Sequence, residues 1–306
     1  MLRRGSKKMS GFIETLLDPS IPFLRNAIIA GLLSSVLFGL LGAIVTVQRI
    51  SGLAGAISHA VLGGIGMALF LSSTGIVSWI TPVTGAMIFA IIAAAIIGVI
   101  SLRSKQREDT VINAIWAVGM SMGILFMAKT PGYTDPMSYL FGNILLITDR
   151  DLMLLAILDA VAIFCAWRFY PQIEAAAFDR EFARSRGVNT DAVFIVILAV
   201  TAVAVVLLQT FVGIVMVIAM LTLPAGTAGY MARNLASMMW IGFAFSTFFT
   251  ISGICTSWPL DLPAGATVVV FAGAVFLIAA TVKAVAGKFL RLRNASVHNN
   301  SHRKKL

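Results

Sequence analysis

Charged side chains are scarce in this sequence: Asp, Glu, Lys and Arg make up 12% of its 306 residues, where soluble domains carry about 25%. So few charges cannot clothe a soluble protein of this length, and 59% of the residues are apolar, with a mean hydropathy of +0.95. The chain is read as an integral membrane protein. The two cysteines, Cys165 and Cys255, fall in separate apolar runs. They read as small buried hydrophobes, a disulfide between them being the alternative. The sequence lacks a G-x-x-x-x-G-K-[ST] phosphate loop, because Gly287-Lys288 is followed by Phe289, so this chain is not expected to hydrolyse ATP by itself. It also lacks H-E-x-x-H, a G-x-S-x-G elbow and a pair of intramembrane aspartates, which removes the usual intramembrane hydrolases. Asp159 is the one clear carboxylate inside an apolar run, too few for the relays of most proton- or sodium-coupled carriers.

What is present is a series of apolar runs. Runs of about 20 residues, enough to cross roughly 30 Å of hydrocarbon, lie near 26–47, 52–72, 77–100, 111–128, 151–169, 237–257 and 264–283. The longer stretch 192–223 is interrupted at Gln209, Thr210 and Gly213 and reads as two helices, the second ending at Pro224. The expectation is an all-α polytopic bundle of about nine spans. Residues 137–148 are too short to cross and carry Gly142 and Asn143 mid-run, which fits a re-entrant or interfacial piece.

Net charge is +10, with the basic residues in the tails and between apolar runs. That distribution suits lipid phosphates at a cytoplasmic face and implies no nucleic-acid partner. Arg103, Lys105 and Arg107, then Arg168 to Arg186, Arg233, and the C-terminal tail from Lys283 all fall on one side of a nine-span chain, expected to be the cytoplasm. The tail Met1 to Lys8 has the charge of a signal peptide's first region without the apolar stretch and cleavage site that should follow. An odd span count puts this basic tail outside, unless residues 11–24 dip into the membrane and return it. Small residues recur within the spans, as in Gly39-x-x-Gly42, Gly63-Gly64-x-Gly66 and Gly119-x-x-x-Gly123, and mark close helix packing.

Two places carry chemistry. His59 is the only histidine outside the last nine residues and lies ten residues beyond Arg49, in the run Leu53 to Leu62. At ~1.5 Å per residue it stands near mid-bilayer. An ionisable group at that depth is a functional-site candidate, either as an imidazole metal ligand or as a histidine hydrogen-bonded between helices. The second place is the connection Pro171 to Asp191. Glu174 to Arg186 contains good helix formers and stops at Gly187, with Phe178 and Phe182, and Asp179 and Ala183, at i,i+4 spacing. It reads either as a solvated connector or as a helix offering Phe178 and Phe182 to a partner protein.

The run Ala30 to Ser51 with Ala56-Ile-Ser-His-Ala-Val-Leu62 resembles the opening of the permease subunits of bacterial ABC importers for zinc, manganese or chelated iron. Asp135 to Leu145, Phe178 to Gly187, Val212 to Ala225 and Asp261 to Gly265 match the same family in order, over roughly residues 27–282. The resemblance implies a type II importer fold, with a basic tail (1–20), a transmembrane permease domain (21–285, coupling segment 172–190) and a basic cytoplasmic tail (286–306). It implies a homodimer in a bacterial plasma membrane that passes the ion between two copies, a separate cytoplasmic ATP-binding subunit, and an extracytoplasmic metal-binding protein that delivers the ion. The metal is cargo, and no cofactor is expected on this chain. By resemblance, Phe178, Asp179, Arg180, Glu181, Phe182 and Gly187 form the coupling helix, and Gly213 and Pro224 are hinge candidates, plain helix termination being the other reading of Pro224.

Related permeases pair this histidine with an aspartate four residues earlier. Here that position is Gly55, which removes a hard oxygen ligand and favours zinc over manganese or iron. The gate is then His59 from both copies, or His59 completed by Ser58, water, or a carboxylate such as Asp135. A secondary metal carrier and a scaffold subunit that no longer transports are the alternatives.

Overall fold

The computed structural model describes residues 22–103, 108–132, 136–142, 147–260 and 262–303. Among them all regular structure is α-helical. Helices α1 (Pro22–Val47), α2 (Ser51–Ser73), α3 (Pro82–Arg103) and α4 (Glu108–Lys129) are followed by a six-residue turn of helix, α5 (Pro136–Phe141). Then come α6 (Asp149–Arg168), α7 (Tyr170–Phe178), α8 (Arg180–Ser185), α9 (Thr190–Val212), α10 (Ile214–Ala228), α11 (Leu235–Leu260) and α12 (Ala264–Arg303).

Seven of these are long and apolar enough to cross a membrane, and an eighth crossing appears if α6 and α7 count as one bent span. The expected figure of about nine is therefore slightly high. The long apolar stretch does break at Gly213, but α10 has 15 residues, or ~22 Å of helix, short of the roughly 30 Å hydrocarbon thickness. Nor does it end at Pro224, which sits inside the helix and is buried, with the helix continuing to Ala228. The proline gives up one backbone hydrogen bond, and the tight packing of α10 between its neighbours holds the remaining turn in place.

Helix α2 is the axis of the bundle. Fifteen of its residues are buried, from Leu53 to Ala68, and it packs against α3, α4, α9 and α10. Small residues permit the closest approaches. A Cβ on Gly64 would overlap the carbonyl of Gly85 in α3, and one on Gly66 would overlap Gly123 of α4. On α1, a Cβ at Gly39 would come within 2.6 Å of the Phe243 nitrogen in α11, and one at Gly42 within 2.6 Å of the Leu221 carbonyl in α10. These contacts replace the hydrophobic drive that lipid does not supply between helices.

The breaks are glycine-built. Gly142 (φ 63) ends α5 and Gly213 (φ 84) separates α9 from α10, both in the left-handed region that side chains disfavour. The two touch backbone to backbone. The short non-crossing piece read from 137–148 thus begins as α5, seated on the α9–α10 break, while residues 143–146 lie outside those described. The N-terminal tail also lies outside them.

Candidate functional site

His59 is the ninth residue of α2, ~12 Å along the helix from Ser51, and its side chain is 7% exposed. Arg49, from which its depth was counted, is exposed in the turn between α1 and α2 and adopts φ 60. The His59 imidazole stacks on the indole of Trp116 in α4, with ring centroids 4.5 Å apart and planes 15° from parallel. Its Nδ1 is buried without a hydrogen-bond partner among the described residues. A buried imidazole nitrogen held in place by packing, with its lone pair or proton uncommitted, has the capacity to take a ligand.

The co-ligands are not gathered around it. Ser58 is fully buried, but its hydroxyl donates to the Ala54 carbonyl at 2.9 Å along its own helix. Asp135 lies outside the described residues. Among those described, no three His, Cys, Asp or Glu side chains come together as a preformed metal centre. Gly55, one turn before His59 on the same face, faces Trp116 as well: a Cβ built there would meet Trp116 Cζ3 at 3.7 Å. Trp116 was not picked out from the sequence. Its one signal there is position, one turn before Gly119 on the small-residue face of α4, and the crossing of α2 and α4 that makes it matter is a tertiary fact.

The connector is two short helices rather than one. The chain bends by 71° between α6 and α7, at Phe169. Pro171 is the local reason, since it suits the first turn of a new helix and, having no N–H to bond back to Trp167, cannot continue the preceding one. The second break falls at Asp179, whose extended backbone (φ −148, ψ 97) ends α7 and whose Oδ1 accepts from the Phe182 N–H at 2.9 Å to cap α8. The expectation of one helix from Glu174 to Arg186 fails here because aspartate competes for the backbone as an N-cap.

The stop at Gly187 is as expected. Val188 N–H bonds to the Ala183 carbonyl at 3.0 Å and Gly187 N–H to the Arg184 carbonyl at 2.9 Å, with Gly187 at φ 83. This is a Schellman closure. Phe178 and Phe182 are 64% and 53% exposed, and Glu181 is exposed beside them.

Cations brace the segment. Arg180 lies over Phe194 at 5.0 Å and Arg186 over Phe182 at 5.2 Å, while Arg184 pairs with Asp191 and donates from Nε to Thr190 Oγ1 at 2.8 Å. The Tyr170 hydroxyl, not foreseen from the sequence, donates to Glu174 and accepts from the Ala236 N–H at 3.1 Å, so α7 is tied to the first turn of α11. Beside the connector, a mostly apolar cavity of about 460 Å³ separates α6 from α9 and reaches Arg186 and Asn189.

The chain as a whole is similar to known proteins. Residues 20–283 match the ABC 3 transport family. A Chlamydia pneumoniae protein named "Probable metal transport system membrane protein" is 33% identical, covering 89% of this chain and 93% of its own length. The Listeria monocytogenes "Manganese transport system membrane protein MntC" is 30% identical over 88% of this chain and 92% of its own. Among solved structures, PsaBC from Streptococcus pneumoniae in complex with Fab is similar with a TM-score of 0.77 and 28% identity, covering 88% of this chain and 94% of that one. The chain is accordingly a membrane component of an ABC transporter rather than its ATPase, and it belongs to the ABC 3 transport family of permeases.

Proposed function

We propose that this chain is the membrane subunit of an ATP-driven importer of divalent metal ions, with His59 as the ion-contacting residue of its gate. The observation that carries the reading is the placement of His59: the one histidine of the spans, buried in the central helix, with Nδ1 unpartnered among the described residues. The names of the Chlamydia and Listeria relatives support metal as the cargo.

The working unit is a homodimer in a bacterial plasma membrane, with the ion passing between the copies. α4 and α12 leave surface for this, because only 17% and 11% of their spanning windows are buried within one chain, and these apolar faces are open to lipid and to a second copy alike. A separate ATP-binding subunit receives Phe178, Asp179, Arg180, Glu181, Phe182 and the Gly187 stop in a cleft, and an extracytoplasmic metal-binding protein delivers the ion. The exposed phenyl rings on a capped, cation-braced platform support that docking role. With Gly55 in place of an acidic residue, imidazole nitrogen dominates the gate, which suits zinc first. Manganese is the second reading, favoured by the name of the Listeria relative.

The test is uptake of radiolabelled zinc, manganese and iron by cells carrying His59→Ala. Loss of uptake supports the gate. Wild-type accumulation of all three ions refutes it, and uptake that survives inactivation of the partner ATPase's phosphate loop refutes the ATP-driven mechanism.

A further inference from the structure

Along the seam between α2 and α4, Gly52, Gly55, His59, Gly63 and Gly66 follow one another up one face of α2. Opposite them, Cβ atoms built at these glycines would meet Ile112, Trp116, Gly119 and Gly123 of α4. Most of the seam is therefore backbone against backbone or against small groups. At one level it is not: the Trp116 indole lies across both the His59 ring and the empty position at Gly55. A Cβ at residue 55 already reaches the indole at 3.7 Å, within the about 3.5–4.0 Å of atomic contact. A carboxyl group beyond that Cβ, turned toward His59, runs alongside the indole and competes with it for space. The aromatic ring and the missing side chain are thus complementary.

From this we infer that Trp116 is a positioning and specificity-determining residue of the gate, one that takes the space a carboxylate ligand would need and fixes the imidazole by stacking. The inference rests on His59 contacting the transported ion. An ion at His59 then meets nitrogen beside an aromatic surface, without a hard oxygen from residue 55. Such a site favours ions that bind imidazole well over manganese, the weakest binder of the first-row divalent series. Trp116 is also 39% exposed, although the His59 ring beneath it is buried.

The experiment compares zinc and manganese uptake in cells producing Gly55→Asp, Trp116→Ala, Trp116→Phe and the double variant Gly55→Asp/Trp116→Ala, each normalised to chain in the membrane. Residues that orient a metal ligand are worth about 10–100-fold in affinity or activity. Trp116→Ala is expected to lower zinc uptake by about tenfold on that scale, and Trp116→Phe, which keeps a smaller stacking ring, to recover part of it. Gly55→Asp alone is expected to gain little manganese uptake, because the indole competes for the same space. The double variant raises the manganese-to-zinc ratio by about tenfold, having both the carboxylate and the room for it.

A second readout is independent of uptake. In full-length chain with Trp79, Trp167, Trp240 and Trp258 each replaced by Phe, cobalt is expected to quench Trp116 fluorescence, and His59→Ala to abolish the quenching. A double variant with the wild-type ion ratio, or quenching that survives His59→Ala, overturns the inference. If His59→Ala leaves uptake intact, the gate reading itself fails. If it stops uptake while every Trp116 variant keeps the wild-type ratio, the failure lies with Trp116 alone.

Discussion

Gly142 and Gly213 meet backbone to backbone, so that a Cβ on either would overlap the peptide of the other. Both hold positive φ. The contact seats the end of α5 on the break between α9 and α10, and Gly265 at the start of α12 approaches the same place, where its Cβ would lie 2.6 Å from the Phe141 carbonyl. A substitution here therefore opposes the backbone conformation and the packing together. Gly213→Ala is expected to cost about 1–3 kcal/mol from the backbone alone, with the overlap adding to it. Thermal unfolding of the detergent-purified chain measures this, and an unchanged midpoint would refute the contact.

Asp179 supplies a cleaner local prediction. Asp179→Ala removes the side chain that caps α8 and is expected to cost ~1 kcal/mol, or about fivefold faster amide exchange across Arg180–Ser185. Asp179→Asn preserves an acceptor and is expected to restore protection. Equal exchange in both variants would show that the cap is not what separates α7 from α8.

Tyr170→Phe removes one hydroxyl and two hydrogen bonds, to Glu174 and from Ala236. The expected loss is about 1–2 kcal/mol, read as faster exchange of the Ala236 amide. A change confined to α7 would mean that the bond to α11 carries nothing.

Asp159 is 5% exposed in the middle of α6, and neither of its oxygens has a partner among the described residues. A buried carboxylate without partners opposes folding. Asp159→Asn keeps the shape without the charge, and is expected to raise the unfolding midpoint by about 2 °C or more. A fall instead would show that the carboxylate is held by a group outside the described residues.

The long helices were legible because span length and apolar runs are local properties. The run read at 52–72 is α2 at Ser51–Ser73, and that read at 111–128 is α4 at Glu108–Lys129. His59 was legible for the same reason, as a lone ionisable group in such a run. Trp116 was not, because its importance depends on which turn of α4 crosses which turn of α2. The paired glycine faces set that crossing, and spacing within either helix alone does not reveal it. The double break in the connector was half legible: Pro171 announces the bend at Phe169, whereas Asp179 is equally acceptable inside a helix or as its cap, and the choice is made by its bond to the Phe182 amide. The continuation of α10 past Pro224 needed the packing around it.

The hydroxyl of Tyr170 gives the connector a second anchor. α7 is joined covalently to α6 at one end and is hydrogen-bonded to the start of α11, 66 residues further along the chain, through the same residue. A push on Phe178 or Phe182 is therefore not spent in a loose loop. On the proposed docking role, a push on Phe178 reaches α6 through the chain and α11 through this hydrogen bond.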